Sequence, residues 1–215
     1  MLEFLEKYSR NIFSSQWGEE GVCLEIARRL NLGPSSVACD IGSHNGSYCS
    51  NTALLIRDYG WSGTLIEANP DLYERCKSRY ADNPKVTVIN ARVGPENVNS
   101  LVPDPCDLLS IDVDSCDYQI FQALTTKPQI VIIEIDSSMP LDRGGFNADG
   151  AASYREMVNL AYIKDYFLLA HTGNCIFIDE KYHHLFPEID IDPLAFPERY
   201  FNPAVLSGDR TWLNR

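Results

Sequence analysis

Apolar residues along this chain fall into short runs whose period switches between that of a helix and that of a strand. Between Gly18 and Leu30, the residues Val22, Leu24, Ile26, Ala27 and Leu30 recur at near-helical spacing, and Gly33-Pro34 ends the pattern. Residues 1–33 therefore read as a helical preface. Strand and helix signals alternate after it. Residues 36–41 predict a first strand, and 48–59 a helix with Ala53, Leu54 and Ile56 on its apolar side. Residues 63–67 predict a second strand, and Asn69-Pro70-Asp71 opens the next helix with proline in its first turn, where no amide donor is missed. Third and fourth strands are expected at 86–89 and 107–112, with a helix at 118–124. The run 129–136 is the most apolar, as suits a strand covered on both faces. A helix at 151–163 precedes two strands, 166–170 and 175–179, that read as a hairpin around Thr172-Gly173-Asn174. This alternation implies an α/β fold, with a doubly wound, mostly parallel sheet, helices on both faces and an antiparallel closing hairpin. The expected organisation is preface 1–33, main domain 34–187 and tail 188–215.

Composition narrows the partners. With 215 residues, 45% apolar and 22% charged, the chain suits one globular domain with a sizeable core. A formal charge of −12 argues against a nucleic-acid binder, which usually carries a basic stripe to neutralise phosphates. Seven cysteines with no C-x-x-C pair, several inside apolar patterns, point to reduced thiols rather than a disulfide framework or zinc knuckle. No apolar run approaches membrane-spanning length, and Met1–Lys7 lacks the pattern of a secretory leader; a cytoplasmic location without membrane contact is expected. Phe196, Tyr200, Phe201 and Trp212 in the tail suit packing on the core or on a second copy of the chain, so a homodimer is one expectation.

Acidic residues stand where the chemistry of such a sheet belongs. Ligands bind at the carboxyl ends of the strands, where strand order reverses. Asp40 ends the first predicted strand, Glu67 the second, Asp112 and Asp114 the fourth, and Glu134 and Asp136 the fifth. After the first strand comes Asp40-Ile-Gly42-Ser-His-Asn-Gly46, a D-x-G-x-x-x-G string. Gly42 is expected to bend the chain at positive φ, and Gly46 to let a ligand approach the backbone. A dinucleotide fingerprint, G-x-G-x-x-G, is not met because His44 stands at the second glycine's place. A carboxylate closing the second strand is an acceptor suited to both hydroxyls of a ribose, which gives Glu67 that role.

The glycine turn resembles motif I of the class I S-adenosylmethionine-dependent methyltransferases. The segments Leu108-Leu-Ser-Ile-Asp112-Val-Asp114-Ser-Cys-Asp117-Tyr118 and Val131-Ile-Ile-Glu134-Ile-Asp136 look more closely like the FkbM-type methyltransferases, as do Phe13–Gly21 and Ala170–Phe177. The likeness spans roughly residues 12–180. It implies a Rossmann-like methyltransferase sheet, with S-adenosylmethionine as cofactor and a hydroxyl of a small polar acceptor as substrate, an amine or a phosphorylated precursor being the open alternatives. The acceptor would be a sugar, a polysaccharide precursor or a secondary metabolite. The backbone donors from Gly42 to Gly46 would receive the cofactor's carboxylate. Asp40 would orient that turn or take the amino group, Arg92 and Val93 would border the adenine, and Asp112 would also face the cofactor. Gln16, in the turn before the first long helix, would fold over the cofactor as a lid.

Four carboxylates converging from two adjacent strand ends repel unless protonated or bridged by a cation. Asp112, Asp114, Glu134 and Asp136 would form an oxygen-only site suited to Mg²⁺ or Mn²⁺. The bland alternative is that one acid meets the cofactor amine while the others cap helices. His171, beside a turn near the active end of the sheet, is the expected general base, with Asp112 and Asp136 assisting. Two other function classes stay open: a nicotinamide-dependent oxidoreductase, weakened by the incomplete glycine fingerprint, and a non-catalytic ligand- or partner-binding protein of the same fold.

Overall fold

The computed structural model describes residues 2–189 and 192–201. Two helices come first, α1 (Leu2–Tyr8) and α2 (Glu19–Arg29). A repeating strand–helix chain follows: β1 (Val37–Ile41), α3 (Ala53–Tyr59), β2 (Ser62–Glu67), α4 (Pro70–Arg79) and β3 (Val86–Asn90). It continues through α5 (Val98–Leu101), β4 (Leu108–Ile111), α6 (Asp117–Ala123), β5 (Ile130–Glu134) and α7 (Tyr154–Ile163), then β6 (Tyr166–His171) and β7 (Asn174–Asp179). The seven strands form one sheet in the order β3-β2-β1-β4-β5-β7-β6. β1 pairs in parallel with both β2 and β4, and β7 runs antiparallel between β5 and β6. The expected doubly wound sheet with its antiparallel hairpin is the fold observed.

The chain moves outward from β1 to β3, then returns to place β4 on the other side of β1. That reversal opens a crevice at the carboxyl ends of β1 and β4. The middle of the sheet is apolar on both faces, with Leu108, Leu109, Ile111 and Ile130 to Ile133 fully buried. Phe4 and Leu5 of α1 join the same core, so the preface packs on the sheet. All seven cysteines are free thiols, five of them buried. No helix among the described residues is long and apolar enough to cross a membrane.

Two helices start later than their apolar patterns suggest. Before α3, Asn45 Oδ1 accepts the amides of Ser47 and Tyr48, and Ser50 and Thr52 turn their hydroxyls to Asp40, which keeps 45–52 out of a helix. α7 starts at Tyr154 because Ser153 caps it, its hydroxyl accepting the Glu156 amide. Asn69 caps α4 as expected, accepting the amides of Asp71 and Leu72. The outer strand β6 is buried along its whole length. Its far edge is covered by the later chain: the His171 amide donates to the Tyr200 carbonyl at 2.8 Å, and His171 bridges Phe201. Tyr200 and Phe201 are buried while Phe196 is largely exposed, and Trp212 lies outside the described residues.

Candidate functional site

A cavity of about 490 Å³ opens at the switch point, within the range of small-molecule sites. All five neighbouring parallel strands contribute at their carboxyl ends: Gly42 after β1, Glu67 at the end of β2, Arg92 and Val93 after β3, Asp112 to Cys116 after β4, and Glu134 from β5. Gln16, from the segment before α2, lines it as well.

The turn after β1 is built around Gly42, whose φ of 87° favours glycine. Its amide and that of Ser43 both donate to the Ile66 carbonyl, at 2.9 and 3.1 Å. A β-carbon there would lie 1.7 Å from the Asp112 carbonyl oxygen, so this glycine lets the β1 and β4 turns touch. Gly46 has a different reason from the one its spacing suggests. A β-carbon there would come within 2.7 Å of Cys76 Sγ and of the Tyr80 ring, both from α4 or its end, and Gly46 does not line the cavity. It serves packing, not close ligand approach.

Asp40 is buried and also off the cavity wall. Its Oδ2 accepts the hydroxyls of Ser50 and Thr52 at 2.9 and 2.7 Å, and burial raises its pKa. Of the two roles expected for it, orienting the turn is the one its position allows. Glu67 does line the cavity. One of its oxygens accepts the His44 amide at 2.8 Å and the other the Asn69 amide at 2.7 Å, which fixes the carboxylate while each oxygen keeps a free lone pair. His44 lines the same wall, and its Nδ1 is buried without a partner among the described residues.

Acids gather at the ends of β4 and β5. Carboxylate oxygens of Asp112, Asp114 and Glu134 all lie within 4.8 Å of one another. Desolvation and the neighbouring acids push Asp112 up to about 7 and Glu134 up to about 8, and these two carboxyls hydrogen-bond to each other. Pairs of this kind hold one proton between them. Asp114 sits at φ 61° on the loop after β4. That loop is shaped by Asp117, a buried carboxylate that accepts the Val113 and Ser115 amides at 2.8 and 3.1 Å. As the first residue of α6 it reaches back to these amides.

Two expected residues stand elsewhere. Asp136 lies past the end of β5 and outside the acidic cluster. Its carboxylate accepts the Ser138 amide and hydroxyl and the Asn147 side-chain amide at 2.9, 2.5 and 2.8 Å, which organises the following loop. Those bonds lower its pKa. His171 does not reach the cavity either. It is fully buried, stacked on Phe201 with ring centroids 4.0 Å apart, with its Nε2 3.1 Å from Ser137 Oγ. Burial pushes its pKa down to about 3, so it is a neutral packing residue rather than a base facing substrate.

A second cavity of about 90 Å³ adjoins the first, and Gln16, Cys49, Asp112 and Glu134 line both. Its remaining walls are Trp17, Glu19, Asn51, Gly173 and Asn174. The turn that carries Gln16 and Trp17 is tied down by Glu20, whose carboxylate accepts the amides of Ile12, Phe13 and Ser14 at 2.7 to 2.8 Å. Glu19 faces this annex with its pKa raised to about 7, chiefly by burial. Sequence reasoning passed over both glutamates because acids in the first turn of a helix ordinarily serve its dipole.

No protein-family profile matches the chain, and no curated protein matches it by sequence. Solved structures do match its fold. A candidate caffeoyl-CoA O-methyltransferase from Staphylococcus aureus superposes with a TM-score of 0.52 at 18% identity, over 81% of this chain and 88% of that one. A candidate sarcosine dimethylglycine methyltransferase from Galdieria sulphuraria gives 0.50 at 16% identity, over 70% of this chain. The match spans 62% of that protein, under two thirds of its length. A candidate RNA methyltransferase from Pyrococcus horikoshii gives 0.50 at 11% identity, over 75% of this chain and 83% of its own. The structural neighbours are class I methyltransferases. Their names cover different acceptors, so what they share with this chain is the Rossmann-like methyltransferase fold.

Proposed function

We propose that this chain transfers a methyl group from S-adenosylmethionine to a hydroxyl of a small polar acceptor such as a sugar, a polysaccharide precursor or a secondary metabolite, as its resemblance to FkbM-type proteins suggests. The observation that carries this reading is Glu67. It is a fixed carboxylate at the end of β2, inside the switch-point cavity, with an unused lone pair on each oxygen. The cofactor's ribose offers two hydroxyl donors to meet it. The orphaned Nδ1 of His44, on the same wall, offers a further hydrogen bond. Arg92 and Val93, after β3, suit the border of the adenine, and Gln16 the cover over the cofactor.

When bound, S-adenosylmethionine supplies an electrophilic methyl group. The protein's part is to align the acceptor oxygen with it and to receive the acceptor's proton. With His171 and Asp136 both off the cavity, Asp112 and Glu134 are the acids placed to take that proton. Asp112, Asp114 and Glu134 would also hold Mg²⁺ or Mn²⁺, since their oxygens are close enough to share one ion, and such an ion would acidify a bound hydroxyl.

Calorimetric titration with S-adenosylhomocysteine, run beside NAD, tests the cofactor assignment. Saturable binding of the homocysteine compound and none of NAD is expected. Glu67→Ala should weaken that binding by about tenfold or more, the worth of charge-assisted hydrogen bonds to two hydroxyls. Equal affinity in the variant would remove the ribose role, and preference for NAD would overturn the reading.

A further inference from the structure

We propose that the annex beside the cofactor cavity is an amine subsite, so that the acceptor carries a protonated amino group next to the hydroxyl that is methylated. This rests on the methyltransferase reading and names its substrate class more closely. The annex is a cavity continuous with the cofactor pocket through Gln16, Cys49, Asp112 and Glu134. At about 90 Å³ it has room for a small substituent.

Its walls present acceptors. Glu19 is 1% exposed and Asn51 4% exposed, and both line it. The Asn51 amide nitrogen donates to Ser110 Oγ at 3.2 Å, and its carbonyl oxygen has no partner among the described residues. On the cavity wall, that oxygen can accept from a donor on whatever fills it. Asp112 and Glu134 also line the annex, and among the described residues no lysine, arginine or histidine does. An ammonium group brings three donors and a positive charge to this set. A carboxylate or phosphate would meet three acids and no donor cation. The turn at Gly173 seals the far wall: a β-carbon there would lie 2.5 Å from the Trp17 ring and 3.3 Å from Glu19 Oε1. Glu19 is therefore placed as a specificity-determining residue.

Small probes of the annex's own size separate this proposal from the cofactor reading. The full chain, in EDTA, would be titrated with ethanolamine, ethylene glycol and glycolate, with and without S-adenosylhomocysteine. The Trp17 indole proton would be followed by NMR and assigned with Trp17→Phe. Ethanolamine should saturate the shift at about tenfold lower concentration than ethylene glycol, the worth of one charged hydrogen bond, and glycolate should not shift it. Glu19→Gln, which keeps the shape and the acceptor for the Trp17 amide, should erase the preference. Asn174→Lys, which adds a cation to the wall, should turn it toward glycolate. Equal response to ethanolamine and ethylene glycol, no response to ethanolamine, or a preference unchanged in Glu19→Gln would each overturn the amine subsite. Failure of S-adenosylhomocysteine to bind, with ethanolamine still selected, would sink the cofactor reading instead.

Discussion

Glu19 is costly where it stands. A buried carboxyl with no cation beside it among the described residues loses hydration in its ionised form, and its pKa rises from an ordinary 4.5 to about 7. Below pH 4.5 the side chain is neutral in folded and unfolded chains alike, and nothing is lost. As pH rises above that, the unfolded carboxyl ionises while the folded one keeps its proton, so stability falls until the folded group also ionises near 7. Glu19→Gln is neutral at every pH and still accepts the Trp17 amide. It should raise stability by about 3 kcal/mol at pH 8 and by almost nothing at pH 4, the linkage value of a rise from 4.5 to about 7. Urea unfolding at the two pH values checks this. An equal effect at both would mean that the carboxyl is not held neutral in the fold. A residue kept at such a cost in a cavity wall is more readily understood as a ligand contact than as a structural one.

At the scale of elements, the strand ends explain both what could be read from the sequence and what could not. Strands and helices were legible because each sits on its own apolar period, and the parallel strands carry their acids to one edge of the sheet. Asp112, Asp114 and Glu134 meet there because β4 and β5 are adjacent and in register, which the alternating pattern already implied. Asp136 and His171 were illegible for a common reason: their surroundings come from distant chain. Asn147, eleven residues on, captures Asp136, and Phe201, thirty residues on, seals His171. No local pattern announces either contact. The clasp of Phe201 on β6 carries a pH consequence of its own. The unfolded histidine takes a proton below about 6.5, whereas the folded one resists until about 3, so the fold loses stability as pH falls through that window. Between pH 6.5 and 5 the loss should reach about 2 kcal/mol, and His171→Phe, which keeps the stack, should abolish this share of it. If urea unfolding shows the same acid loss in the variant, the histidine is not its source. Activity, once an acceptor is known, should survive the change.

For the whole molecule, topology and charge are one problem. A parallel sheet collects the ends of its strands at a single edge, and here that edge carries acid after acid in a chain of net charge −12. Mutual repulsion there is relieved in one of two ways, by retaining a proton or by admitting a cation. The raised pKa values of Asp112 and Glu134 show the first in operation: near neutral pH the pair holds a proton that isolated carboxyls would have lost. A divalent ion bound by Asp112, Asp114 and Glu134 would have to displace that proton. Mg²⁺ uptake should therefore release between about one and two protons per ion near pH 6.5 and few at pH 9, with affinity rising between. Calorimetry in two buffers of different ionisation enthalpy measures this directly, because released protons make the observed heat depend on the buffer. Asp112→Asn should abolish both binding and proton release. Binding without proton release would mean that the ion sits away from the pair. No binding at all would leave the shared proton as the sole relief of charge, with Asp112 and Glu134 then acting on an acceptor hydroxyl as an acid–base pair unaided by metal.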